Sequence, residues 1–136
     1  MDRVASLQRI AELFSYRTIP GEVADEFVVF SQSQLKEGRH IKDKTAFEAI
    51  ENHIHLLDDL SKDEFKSIDA VAQAFITALH FNLKAWYPQR KFAVYATASL
   101  GDSFILRFHQ LWEGEAPYYC PDDYDGSREK VFAVMG

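Results

Sequence analysis

Two periods of apolar residues alternate along this chain, and each change of period marks an element. Val4, Leu7, Ile10, Ala11 and Phe14 fall at helical spacing behind Asp2, a side chain suited to capping, so an amphipathic helix is expected over residues 3–16. Ile19-Pro20-Gly21 ends it. Residues 26–31, Glu-Phe-Val-Val-Phe-Ser, are β-branched and aromatic and too short for a helix, which predicts a buried strand, and the polar stretch 32–42 then reads as a loop. Phe47, Ile50, Ile54 and Leu57 support a second helix that starts near residue 44 behind Asp43 and Thr45. Its end is open, because His53 to Leu57 fits a short strand as well as it fits the helical period.

Ser61-Lys62-Asp63-Glu64 has the spacing of a capping box, and Ser67 offers a second start six residues on. From one of them a helix runs to Trp86, where Tyr87-Pro88 stops it. Its polar residues Gln73, Thr77, His80 and Lys84 recur in one stripe with Asn82 as the outlier, while Val71, Phe75, Ile76, Leu79, Phe81, Leu83 and Trp86 predict burial over most of the circumference. Residues 91–99 and 103–112 read as two strands around Leu100-Gly101-Asp102. A three-residue loop with Gly101 in the left-handed region pairs Ala98 with Phe104, Ala96 with Leu106 and Val94 with Phe108, so small faces large. A two-residue loop would instead put Arg107 beside Ala96 on the face of Val94 and Ile105, so the three-residue loop is preferred. Tyr95, Thr97, Arg107 and His109 then share the opposite face. Lys130 to Met135 closes the chain as a strand or a helical turn.

These elements predict one α+β domain over residues 1–136. Its antiparallel sheet is centred on the 91–112 hairpin and packs its Val94, Leu106 and Phe108 face against the long buried helix of about 61–86, with additional N-terminal helices. Phe27 to Phe30 and Val131 to Val134 are expected to supply the other strands. A chain of 136 residues, 47% apolar and 26% charged, has ordinary globular usage, which argues against a disordered or fibrous protein. The single cysteine, Cys120, closes no intrachain disulfide, and Met1-Asp2-Arg3-Val4 lacks the apolar run of a secretory signal, so cytoplasmic residence is expected. Apolar runs such as Phe92 to Ala96 fall far short of the ~20 residues of a membrane-spanning helix.

Charge changes this picture more than composition does. The net charge is −6, but residues 43–69 hold eight acids against three lysines, and residues 113–125 hold five acids and no base. Clustered acids oppose the cationic tracks that phosphate backbones require, which excludes a nucleic-acid binder, and would attract a basic protein.

No intact catalytic or metal signature accompanies them. Gly101-Asp102-Ser103 resembles the Gly-Asp-Ser of a family of serine esterases, yet here it turns a hairpin, and no histidine follows His109. Asp122-Asp123-Tyr124-Asp125-Gly126 fails as a calcium loop, since Pro121 and Phe132 would stand at its first and twelfth positions. His53-x-His55 is a workable ligand pair only in a strand, and Cys120 has no basic residue beside it in sequence to activate its thiol. No cofactor is implied.

Two surfaces remain. Trp112, Tyr118, Tyr119 and Tyr124 interleave with Asp122, Asp123 and Asp125, which suits aromatic anchoring and acidic steering toward a basic protein partner. The expected function is therefore a small acidic protein-binding module, in its narrower form an inhibitor or immunity-type neutraliser of a basic protein. The alternative is an enzyme or ligand binder on the Tyr95, Arg107 and His109 face, where Arg107 would hold an anion and His109 would move a proton. Neither the histidine pair nor the acidic loop has a complete ligand set, so elemental analysis of the purified protein should find no stoichiometric zinc or calcium. One equivalent of either metal would overturn that expectation.

Overall fold

The computed structural model describes residues 3–22, 24–38 and 41–136. Asp2, the expected first cap, lies outside them. Helix α1 (Arg3–Glu12) is shorter than its periodicity predicts and buries none of its side chains; Val4 and Leu7 are exposed. The chain then forms a strand, β1 (Tyr16–Pro20), that local pattern did not reveal. Its order comes from β2 (Glu26–Phe30), which pairs with it antiparallel, Tyr16 opposite Phe30 and Ile19 opposite Phe27. This ribbon is separate from the main sheet, which corrects the expectation that Phe27 to Phe30 would join it.

Phe27, Val28, Val29 and Phe30 are all buried because the ribbon has a core on each side. Val28 and Phe30 enter the main core, whereas Phe27 and Val29 join Ile19 in a smaller one with Leu35, Phe47 and Trp112 against it. A strand buried on both faces reads as a continuous apolar run rather than an alternation.

Helix α2 (Lys44–Glu51) starts at Asp43, whose carboxylate accepts from the Ala46 amide at 2.9 Å. It stops at Asn52, and strand β3 (His53–Asp58) follows, which settles the open choice at residues 53–57 in favour of strand. The apolar period of Phe47, Ile50, Ile54 and Leu57 runs across this break. Asn52 overrides it: its side-chain oxygen accepts from the Phe30 amide at 3.2 Å, its amide donates to the Val28 carbonyl at 2.8 Å, and its own carbonyl accepts from the Phe108 amide at 3.2 Å.

Helix α3 (Lys62–Trp86) begins with the expected capping box, the Glu64 amide donating to Ser61 Oγ at 3.1 Å and the Ser61 amide to Glu64 Oε1 at 2.8 Å. Only Phe65, Ile68, Ala72, Ile76, Leu79 and Leu83 are buried along it. The periodicity predicts burial over most of the circumference, but one sheet covers one face, and Val71, Phe81 and Trp86 remain exposed.

Strands β4 (Phe92–Ser99), β5 (Ser103–Gln110) and β6 (Glu129–Met135) complete a four-stranded antiparallel sheet in the order β3-β5-β4-β6. The hairpin pairs Ala98 with Phe104, Ala96 with Leu106 and Val94 with Phe108, and Gly101 turns it at φ 76°. That is the register argued from side-chain size. The same face carries Phe92, and its small and large residues mesh with α3 in one core.

Glu48 joins the ribbon to the sheet. It is fully buried on α2, and its carboxylate accepts four hydrogen bonds: from the Val28 amide at 2.9 Å, the Gln110 amide at 2.8 Å, Gln110 Nε2 at 2.7 Å and Trp112 Nε1 at 2.7 Å. Burial raises its carboxyl from 4.5 to about 7 against the pull of these donors. A folded value above the unfolded one means that Glu48 contributes stability in full below about pH 4.5 and loses it as pH rises through about 7. The loss is on the order of 3 kcal/mol. Glu48→Gln cannot titrate, so the advantage of the wild type over this variant should narrow by that amount across the window. Parallel pH profiles in chemical denaturation would contradict the assignment.

Candidate functional site

The sheet face opposite α3 carries Tyr95, Thr97, Arg107 and His109, and an antiparallel sheet commonly leaves such a face to solvent. The structure covers it instead. After β5 the chain runs back across this face through Tyr118, Tyr119 and a 3-10 turn (Pro121–Asp123) before entering β6, and Tyr95 and His109 have no exposed surface.

Both polar side chains are satisfied beneath that cover. His109 Nδ1 lies 2.7 Å from the Gln110 carbonyl, which can only accept, so Nδ1 carries the proton. Nε2 then accepts, from the Tyr95 hydroxyl at 3.0 Å and the Tyr118 amide at 3.2 Å, while the Tyr119 amide donates to the Tyr95 oxygen at 3.4 Å. Burial lowers the His109 pKa below 6.5, opposed by the hydrogen bond to Gln110 and by the charges of Glu115 and Asp43. Burial likewise raises the Tyr95 phenol. This pair pins the covering segment to the sheet.

Arg107 lies opposite Tyr95 in register, as expected, but belongs to different surroundings. Its guanidinium stacks 5.4 Å from the Tyr118 ring centre and 5.8 Å from that of Tyr119, and Nη1 donates to the Ala49 carbonyl. Nε is buried and without a hydrogen-bond partner. Beside it, under Tyr119 and Tyr124, is a cavity of about 140 Å³ that Thr97, Ile105 and Val131 also line; Tyr95 and His109 do not reach it.

The acidic residues gather at one end of this sheet. Asp58 pairs with Ser103, the Leu60 amide donates to the Asp102 carbonyl at 3.1 Å, and the Gly101 amide donates to the Leu60 carbonyl at 2.8 Å. The Leu100 amide bonds the Arg128 carbonyl at 2.9 Å, which brings the second acidic block to the same turn. Asp102, Asp123, Asp125 and Glu129 line an open groove of about 610 Å³ there with Tyr124 and Arg128. Asp122 is exposed next to Asp123, and hydrogen bonds from Ser127 hold the Asp125 carboxyl below its ordinary value.

Not every acid of the two blocks reaches this end. Glu48 is the buried bridge described above. Glu115 receives the Thr45 amide at 2.8 Å, the Thr45 hydroxyl at 2.6 Å and the Lys44 amide at 3.3 Å at the start of α2. Trp112 stands apart as well, its indole bonded to Glu48 and set edge-on to Phe27 at 5.5 Å, with Lys44 Nζ 4.7 Å from the ring centre. Tyr118, Tyr119 and Tyr124 form an edge-on series over the sheet with ring centres 4.8 and 6.2 Å apart. Sequence reasoning missed Asp102 and Glu129 as members of the acidic end, since long-range pairing, such as that of Ser99 with Glu129, aligns them.

His53 and His55 sit in β3 with ring centres 5.5 Å apart, and His55 Nδ1 is 3.2 Å from Asp58. Among the described residues no group of three or more His, Cys, Asp or Glu side chains is placed to hold a metal ion. Cys120 is exposed and unpaired with another cysteine.

These features define an α+β domain with a covered sheet face and an acidic end, and among the described residues no helix is long and apolar enough to cross a membrane. Comparison with protein families, with curated proteins and with solved structures finds no match to this chain.

A lowered His109 pKa means that the neutral ring stabilises the fold in full above about pH 6.5 and that this contribution is lost as pH falls through the lower folded value. Nitrogen-15 spectra should show the His109 ring titrating below the ordinary histidine value, with the proton of the neutral ring on Nδ1. Tyr95→Phe should cost about 2 kcal/mol by removing the hydroxyl that donates to His109 and accepts from the Tyr119 amide. A His109 ring that titrates at an ordinary histidine value would remove this description of the covered pair.

Proposed function

We infer that this chain is a protein-binding module for a basic partner, in its narrower form an inhibitor or immunity-type neutraliser. The observation that carries the reading is the convergence of Asp58, Asp102, Asp123, Asp125 and Glu129, separated by up to 71 positions in sequence, at one end of the sheet. A groove with carboxylates on its walls and the half-buried Tyr124 among them offers both steering and a contact ring.

The alternative, proton transfer at Tyr95 and His109, has less in its favour. Both groups are buried, both histidine nitrogens are already bonded, and the adjacent cavity does not reach them. A general base must meet the proton it abstracts within hydrogen-bond reach.

Replacing Asp122, Asp123 and Asp125 together by asparagine removes three charges at nearly constant volume, so folding should hardly change. A basic protein captured by the wild type from source-cell extract should associate more slowly with this variant. Its rate with the wild type should fall as salt rises, because exposed charges more than about 8 Å apart are largely screened at physiological ionic strength. The dissociation rate should move less. Stopped-flow association that is independent of salt and unchanged in the triple variant would sink the reading.

A further inference from the structure

The cavity beside Arg107 raises a question separate from the acidic groove outside it. It lies over the outer face of β4, β5 and β6, with Thr97 opposite Ile105 and Val131, and Ser99 opposite Glu129. At about 140 Å³ it has room for roughly five waters at ~30 Å³ each, or for one organic molecule of a few heavy atoms.

Arg107 supplies one wall. Its Nη1 is committed to the Ala49 carbonyl and its faces to two tyrosine rings, and none of the ion pairs among the described residues includes it. Nε–H is buried without a partner. The guanidinium also hydrogen-bonds the Tyr119 side chain, and as a planar, permanently charged group it is suited to a carboxylate.

Asp102 and Glu129 also line the cavity, and the Ser99 hydroxyl donates to Glu129 Oε1 at 3.3 Å. These acids, with Asp123 and Asp125 in the neighbouring groove, repel a simple anion on its way to Arg107. A simple cation meets the opposite difficulty at Arg107. A small molecule that carries both charges escapes both penalties.

We propose that this cavity binds a small zwitterion of the amino-acid class, its carboxylate at the Arg107 guanidinium and its ammonium on Glu129 and Asp102, with the Thr97 and Ser103 hydroxyls between them. The site is independent of the partner reading, since its ligand would sit beside Tyr119 and Tyr124 and requires no second protein.

The Arg107 Nε–H resonance in proton–nitrogen-15 spectra reports directly on the site. Titration of the wild type with glycine or alanine should shift it saturably, with acetate and methylammonium each at least tenfold weaker. Glu129→Gln, a change at an exposed position, should weaken glycine binding about tenfold while leaving acetate binding equal or stronger. Arg107→Lys should abolish the rise in melting temperature that glycine gives the wild type. Because Arg107 also holds Ala49, Thr97→Val serves as the milder variant, which should keep the fold and weaken glycine. No saturable shift with any of these probes, acetate binding as tightly as glycine, or an unaltered glycine affinity in Glu129→Gln would each overturn the proposal.

Discussion

A buried carboxylate with four donors holds this fold in register. Glu48 reaches the Val28 amide on one side and Gln110 and Trp112 on the other, so a single side chain joins the two-stranded ribbon, helix α2 and the end of β5. Asn52, one helical turn later, repeats the arrangement with the Val28 carbonyl, the Phe30 amide and, through its own carbonyl, the Phe108 amide. Together they stand where another strand would otherwise run. β2 is buried on both faces, and unpaired amides along its edge would each carry the cost of a lost hydrogen bond.

Placing an acid there has a consequence for charge. Desolvation resists the ionised form, and only the full set of donors makes that form tolerable, so the bridge is sensitive to the loss of any one of them. Glu115 is similarly committed, at the first turn of α2, where three donors and the Lys44 charge outweigh partial burial and hold its carboxyl below the ordinary range. Acids that are uniform in sequence are thus divided by the fold into a bridge, a helix-end ligand and an exposed group around the β4–β5 turn.

The segment between β5 and β6 organises the other face. It buries Tyr95 and His109, stacks tyrosines on Arg107 and leaves a small cavity beside that guanidinium. Its amides at Tyr118 and Tyr119 bond the buried histidine and tyrosine, which fixes the roof over the cavity. Its far end carries Asp123 and Asp125 to the groove, so the cavity and the acidic end depend on the same stretch of chain.

What the sequence determined by itself is local. The Ser61 capping box, the stop at Tyr87-Pro88 and the register of the hairpin follow from neighbouring residues, because caps, proline and the matching of small to large side chains act within a few positions. Other features depend on distant partners. Tyr16–Pro20 is a strand because β2 lies beside it, and His53–Asp58 leaves the helical period because Asn52 is drawn to Val28, Phe30 and Phe108. The aromatic residues after β5 gave no sign of which would cover the sheet and which would pack beside Phe27, and the two acidic blocks gave no sign that they meet. Hydrogen bonds between Leu60, Gly101 and Asp102 and between Leu100 and Arg128 bring them together, and contacts that close long stretches of chain leave no periodic trace in the residues that make them.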